Sequence, residues 1–454
     1  MKIIKYITFI TGMLCCLNSC RDYVEIEPEG NSRVLKYTSD YRGLANDYGT
    51  LENVGGMYII ADDDTEFNED YQTKISDIWS NCYTWQPTIF NESQGDSDWI
   101  NLYKTIYHAN VMIDGVMSSQ KGTTAEKEEI IAEAYVHRAF SYLQLVNIYG
   151  PQYNGTLSAN EKAVPLLLTP SLYSSLERAT VNEVYNQIIA DLSNALSYNI
   201  QDLPEFNTLP SKAAVYAILA RTYLYMSEYG LALESAENAL DLQSSLIDLG
   251  AIRSNPYGYP VLLDNPEIIF SKKILYGYNG APISEDLLNS FEEHDARYDV
   301  YTASGTNFYP TFTGRGYGVN VYSYSNGINV GVSVPEMYLI AAECHARLAD
   351  GDLNIALQDL NTVRAKRFDA GSDFMLSANT KQEALDLVLE ERRKEFVGRG
   401  LRWFDQKRLN LEDRYKKTIT RDFKGTTYTL EPGSEGYVFP IFQNYIDLNP
   451  ELGD

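Results

Sequence analysis

Apolar residues recur at intervals of three and four over most of the chain, and that spacing predicts helices rather than strands. Trp99, Leu102, Tyr103, Ile106, Tyr107, Ile113 and Val116 fall on one stripe. The period returns in Ile130, Ala134, Ala139, Tyr142, Leu145 and Ile148, where the pair Gly150-Pro151 stops it. An earlier helix is expected over Ser32 to Leu51. A later one is expected over Val181 to Tyr198, with Thr180 and Glu183 as its capping box.

Two further stretches read as paired helices. Ser211 to Glu228 and Leu231 to Leu242 flank Gly230, and Ala220, Tyr223, Ala232, Ala236 and Ala239 sit where a tetratricopeptide repeat places its small and aromatic contacts. A second copy runs from Pro335 to Arg367. Hairpins of this kind stack, because neither can bury its apolar face alone. The pattern breaks twice. Residues 55–98 mix Gly, an acidic run and aromatics, and residues 243–334 form a loop-rich insertion of Pro, Gly and Tyr. The expected fold class is therefore all-α, with tetratricopeptide-like helix pairs interrupted by two loop-rich stretches.

The densest charge pattern lies at Leu389–Leu409, LEERRKEFVGRGLRWFDQKRL. Gly398 and Gly400 predict a helix end and a turn, with a second short helix after it. Two readings compete for this stretch: an acid/base or anion site, and a charged collar around a packing anchor, Trp403. The absence of a nucleophile or His favours the collar, because buried charges persist mainly when paired. Glu391, Glu395, Arg402, Trp403 and Asp405 are the expected structural motif, with Arg402, Asp405, Lys407 and Arg408 pairing across the turn with the two glutamates.

Composition narrows the function. With 62 Asp plus Glu against 37 Lys plus Arg, the net charge is −25, which disfavours nucleic acid as a partner. At the N-terminus Lys2 and Lys5 precede an apolar run, Tyr6 to Leu17, too short to span a bilayer. Leu17-Asn18-Ser19-Cys20 then resembles a lipobox. Residues 1–19 are expected to be a lipoprotein signal peptide, Cys20 the lipidated residue, 20–31 an acidic tether, and 32–454 one domain. Cys82 and Cys344 remain; a bridge is conceivable in an exported protein, and buried free thiols are the simpler state.

Enzyme motifs are absent: no G-x-S-x-G, H-E-x-x-H or phosphate-binding glycine loop occurs. No catalytic residue is assigned. A glycosidase needs only two carboxylates, which 62 acids always contain, but no recognisable catalytic pair stands out. The chain carries 36 Tyr, 16 Phe and 4 Trp. Sugar recognition asks for flat aromatic faces beside amide, carboxylate and guanidinium groups, and the two irregular stretches hold that mixture. The candidate ligand contacts are Asp62, Asp64, Trp79, Tyr83, Trp85, Tyr278, Tyr309, Tyr317, Tyr322 and Tyr324. No cofactor is expected. One weak metal site, calcium at Asp62, Asp64 and Glu66, has suitable hard oxygens but lacks the turn glycine of an EF-hand loop.

Several stretches taken together resemble the SusD/RagB family. They are DW-x-x-x-Y-x-x-IY-x-AN at 98–110, EA-x-x-x-RAFSYLQLVNIYG at 133–150, RATVNEVYNQIIADLSNAL, SKAAVYAILARTYLYM, PEMYLIAAECHARL and the RWFD motif, in that order. The resemblance implies a SusD-like fold, with tetratricopeptide-like helix pairs on one side and a loop-rich, irregular ligand-binding face on the other, and a lipid-anchored, surface-exposed protein of the outer membrane. It also implies capture of a glycan and delivery to a partner SusC-type TonB-dependent transporter. RagB-type members make a peptide- or other nutrient-binding lid the alternative. The family offers no conserved catalytic residue, and its ligand contacts come from variable loops.

Overall fold

The computed structural model describes residues 35–274, 281–317 and 327–453. The expected lipidation site Cys20 and the candidates Tyr278, Tyr322 and Tyr324 lie outside these residues.

Helices dominate. α1 (Thr38–Ala45), α2 (Asp77–Tyr83), α3 (Ser97–Gly115), α4 (Thr124–Tyr149) and α5 (Val181–Ser197) fill the first half. The capping box at Thr180 and Glu183 forms as the sequence indicates, with Thr180 N donating to Glu183 Oε2 at 2.8 Å. From Ile130 to Tyr149 every residue of α4 except Tyr135 is buried. A helix buried on all sides is a core element rather than an amphipathic cover, and α3 and α5 pack on it from either side in sequence.

The helix pairs follow. α6 (Lys212–Tyr225) and α7 (Tyr229–Leu242) form the first hairpin, and α8 (Val334–Arg347) with α9 (Leu353–Arg364) the second. α7 packs on α8, so the two hairpins stack although 91 residues of insertion separate them in sequence. The turn of the first hairpin differs from expectation. Gly230 lies inside α7, and the chain reverses at Ser227, whose φ is +62°.

Strands are few and short, all in antiparallel pairs: β1 (Lys162–Pro165) with β2 (Arg178–Thr180), β3 (Lys273–Ile274) with β6 (Ile328–Asn329), β4 (Thr302–Ser304) with β5 (Arg315–Tyr317), and β7 (Ile419–Phe423) with β8 (Thr426–Leu430). β7 and β8 turn at Lys424-Gly425, both at positive φ, as a two-residue hairpin requires. Among the described residues no helix is long and apolar enough to cross a membrane. Cys82 and Cys344 are buried free thiols.

The charged motif forms α10 (Lys381–Glu395) and α11 (Leu401–Leu409), joined through Gly398 and Gly400 at φ +72° and +75°. Its pairing differs from the sequence expectation. Glu391 meets Arg297 and Arg364, each at 2.7 Å, and Glu395 meets Arg367 at 2.9 Å and Arg297 at 3.2 Å. Arg402 forks onto Asp63 at 2.7 and 2.9 Å. Asp405 takes Arg392 and Arg408, both at 2.8 Å, while Lys407 Nζ donates to the carbonyls of Asn147 and Gly150. The cause is helical geometry. Residues 391 and 395 are one turn apart and share a face directed at 295–301 and 364–367, whereas residue 392 is rotated about 100° from them and faces α11.

Candidate functional site

A cavity of about 580 Å³ opens where four distant segments meet: residues 81–90 from the last turn of α2 onward, the end of α4 at Tyr149–Pro151, Lys162 and Arg178 of the β1–β2 pair, and the tail 435–453, which includes α12 (Gln443–Leu448). This volume lies within the usual range for small-ligand sites. Hydrogen bonds to backbone carbonyls hold the first loop and the tail. Asn81 Nδ2 donates to Ile89 O at 3.0 Å and closes the first loop, and Phe439 N donates to Ile148 O at 2.9 Å and fastens the tail to α4. Phe90 and Phe442 meet edge to face at 5.3 Å between centroids and join loop to tail.

The lining is mixed. Trp85, Phe90, Phe439 and Phe442 supply rings, Ile89, Ile441 and Ile446 supply aliphatic surface, and Asn81, Gln86, Lys162, Arg178, Glu435 and Gln443 supply polar groups. Tyr149 contributes to the wall while its hydroxyl donates to Asp96 Oδ2 at 2.6 Å. Burial raises the Asp96 and Asp98 carboxyls above the usual carboxylate range, and their proximity raises Asp98 further.

Trp85 is the residue that geometry singles out. Its φ is +53°, a left-handed conformation that costs an L-residue about 1–2 kcal/mol. The indole Nε1 donates to Ala61 O at 2.9 Å, and the Arg421 guanidinium lies 4.5 Å from its ring. Backbone strain held in place by such contacts is a recurrent mark of functional positions.

The other sequence candidates have varied fates. Trp79 is half-buried on α2 and packs against the core. Tyr309 is 85% exposed, on the loop between β4 and β5. Tyr83 and Tyr317 are corrections: both are buried and serve the scaffold. Tyr83 stacks on Phe67 at 4.0 Å and accepts from Phe67 N, and Tyr317 shares a hydroxyl contact with Thr65 at 3.2 Å. Their rings fill the space under the irregular face, where an aromatic with a satisfied hydroxyl packs well.

Asp62 and Asp64 are corrected as well, both being buried. Asp64 Oδ1 takes Arg393 Nε, and the Asp62 carbonyl takes Arg421. Burial pushes both carboxyls upward, Asp62 well above the usual range. Burial also works against charge on Asp63, yet Arg402, Arg393 and Lys417 hold that carboxyl well below its usual range. Of the acids that suggested calcium, Asp64 is therefore occupied by a guanidinium, the Asp62 carboxylate accepts from Asp64 N at 3.0 Å, and Glu66 is exposed with its carboxylate on Glu285 N. Among the described residues no three His, Cys, Asp or Glu are arranged to hold a metal.

Sequence reasoning missed the tail. Val438, Phe439, Ile441 and Phe442 line the cavity, and the only signal for them was an apolar, proline-containing run without helical period.

Comparison with known proteins gives a consistent answer. A family model described as "Starch-binding associating with outer membrane" matches residues 25–224, and one described as "SusD family" matches residues 334–453. Among relatives, SusD-like protein P38 of Formosa agariphila is 24% identical, covering 98% of this chain and 97% of its own. SusD-like protein P2 of the same organism is 25% identical over 71% of this chain and 74% of its own. A crystal structure of a SusD superfamily protein from Bacteroides thetaiotaomicron superposes with a TM-score of 0.73 at 23% identity, covering 91% of this chain and 98% of that one. A laminarin binding SusD-like protein superposes with a TM-score of 0.61 at 18% identity, covering 84% and 94%.

Proposed function

This chain belongs to the SusD/RagB family, and from that premise we propose that it is a cell-surface glycan-binding lipoprotein. Anchored at the outer membrane through Cys20, it captures an oligosaccharide or polysaccharide and passes it to a SusC-type TonB-dependent transporter. The observation that carries this reading is Trp85, strained to a positive φ and lining a 580 Å³ cavity beside amide and charged side chains. An indole face takes the CH patches of a sugar ring, and Asn81, Gln86 and Gln443 are suited to its hydroxyls. The laminarin-binding neighbour and the starch-binding family description support the same class of ligand.

The test is titration calorimetry and affinity gel electrophoresis of the mature chain against a panel of neutral polysaccharides. Trp85→Ala should weaken binding of the best ligand by at least tenfold, about 1.4 kcal/mol, with an unchanged far-UV spectrum. No binding to any glycan in the panel would sink the proposal. One feature favours the alternative of a peptide-binding lid: Phe90, Phe442, Ile446 and Leu452 make much of the cavity wall apolar, which suits peptide side chains. Saturable binding of peptides without glycans would select that reading.

A further inference from the structure

Strand β7 places Ile419, Arg421 and Phe423 on its buried face and Thr420 and Asp422 on its exposed one, as the alternation of a strand dictates. Arg421, 6% exposed, therefore carries a guanidinium into an apolar row, where a charge persists only if its donors are matched. Main chain matches them. Nη1 donates to Tyr83 O at 2.5 Å and to Ile60 O at 3.3 Å, and Nη2 donates to Asp62 O and, at 3.3 Å, to Thr65 O. The guanidinium carbon lies 4.0 Å from the centre of the Tyr83 ring and 4.5 Å from that of Trp85.

An ion pair fixes a side chain, whereas bonds to carbonyls fix backbone. The backbone fixed here carries both anchors of Trp85. Ala61, whose carbonyl accepts the indole Nε1 at 2.9 Å, lies between Ile60 and Asp62, and Tyr83 lies two residues before Trp85 itself. At φ +53° Trp85 is strained, and such a conformation persists only where its surroundings over-determine it. One guanidinium reaches both anchors and packs on the ring as well. Among the described residues Trp85 is the one Trp that lines the larger cavity, and Arg421 does not line it.

We propose that Arg421 is a positioning residue for ligand capture: without touching the ligand, its planar fork sets the indole of Trp85 in the orientation that the cavity presents to a sugar. This rests on the reading of that cavity as the glycan site. The fork matters more than the charge. A lysine at this position keeps the charge, but its single nitrogen cannot span carbonyls on two segments or lie flat against a ring.

The mature chain labelled with fluorotryptophan gives one fluorine NMR resonance for each of its 4 Trp, and Trp85→Phe assigns that of Trp85. In Arg421→Lys this resonance should move further than those of Trp79, Trp99 and Trp403. Asp422→Ala breaks only the exposed bond from Thr427 Oγ1 to Asp422 Oδ1 in the same hairpin and should leave it in place. The binding probes are laminarin and soluble starch, titrated by calorimetry. Arg421→Lys should weaken the bound probe about tenfold. Combined with Trp85→Ala it should weaken binding no further than Trp85→Ala alone, because a residue that acts through Trp85 then has nothing left to position. A merely structural role would lower the melting temperature and leave the two losses additive. Should Arg421→Lys not fold, Arg421→Gln, planar but without the fork, takes its place in both arms. An unmoved Trp85 resonance, additive losses, or contact between Arg421 and the sugar in a crystal structure of the wild type with bound probe each overturns the proposal. The resonance needs no ligand, so failure of both probes to bind counts against the glycan reading while the resonance still decides for Arg421.

Discussion

At the scale of single residues, two buried side chains show opposite physics. Trp403 has no exposed surface, stacks on Tyr437 at 4.9 Å and meets Phe439 edge to face at 5.9 Å. Its indole Nε1 has no hydrogen-bond partner, so its contribution is packing. Trp403→Ala is expected to lower stability by about 3–5 kcal/mol in urea melts, while the folded fraction keeps its ligand affinity. A folded variant without binding would return the motif to the binding site. Lys407 is buried among carbonyls, and desolvation pulls its ammonium down to about 7. The unfolded chain keeps that proton up to its ordinary pKa near 10.4, so it binds more protons than the fold between those values. Stability from this residue therefore rises as pH increases from about 7 towards 10, by up to about 1.4 kcal/mol per unit, and is flat below. Urea melts of wild type and Lys407→Met at pH 6.5 and 9 measure it: wild type should gain on the variant at the higher pH.

At the scale of elements, the junction of α10 and α11 depends on backbone that only glycine adopts easily. A Cβ on residue 398 would lie 2.1 Å from Tyr317 Cδ2, and one on residue 400 would lie 2.5 Å from Tyr58 Cε2. Gly398→Ala combines left-handed strain of about 1–2 kcal/mol with displacement of a buried ring. The expected loss is at least about 2 kcal/mol by denaturant melt, larger than for Gly425→Ala, where φ is +80° but nothing lies within 4 Å. The glycine pair was legible as a turn. That Tyr317, 81 positions earlier and separated from it by α8, α9 and α10, is what packs against it was not, because residues outside helical period carry no signal for which face they meet.

At the scale of the whole molecule, buried ions tie the insertion to the helical frame. Arg297 reaches Asp295, Glu391 and Glu395, and Arg367 reaches Glu267 and Glu395, all with side chains at most 1% exposed. Removing one member leaves uncompensated charge in a region of low dielectric. Glu395→Ala is expected to cost about 3–5 kcal/mol, read as a lower denaturation midpoint, whereas removing the exposed Lys416 partner of Asp413 should change almost nothing. The same long-range closure builds the candidate site, since residues 81–90, 149–151 and 435–453, with Lys162 and Arg178, are far apart in sequence and line one cavity.

What the sequence determined is whatever depends on neighbours along the chain. Helical period, the capping box at Thr180, the individual helix pairs and the glycine turn are local, since each follows from residues near one another in the chain, and the ordered motifs pointed to the family. Tertiary structure decided the rest. Asp62, Asp64, Tyr83 and Tyr317 look like ligand contacts in composition and are scaffold in space, because burial is a property of what packs over a residue rather than of the residue itself. Glu391 and Glu395 share Arg297 as a partner almost a hundred positions away, and Trp85 shares its cavity with a tail more than three hundred residues further on. Side-chain chemistry limits what a position can do; the distances that select one role are set only when the chain closes on itself.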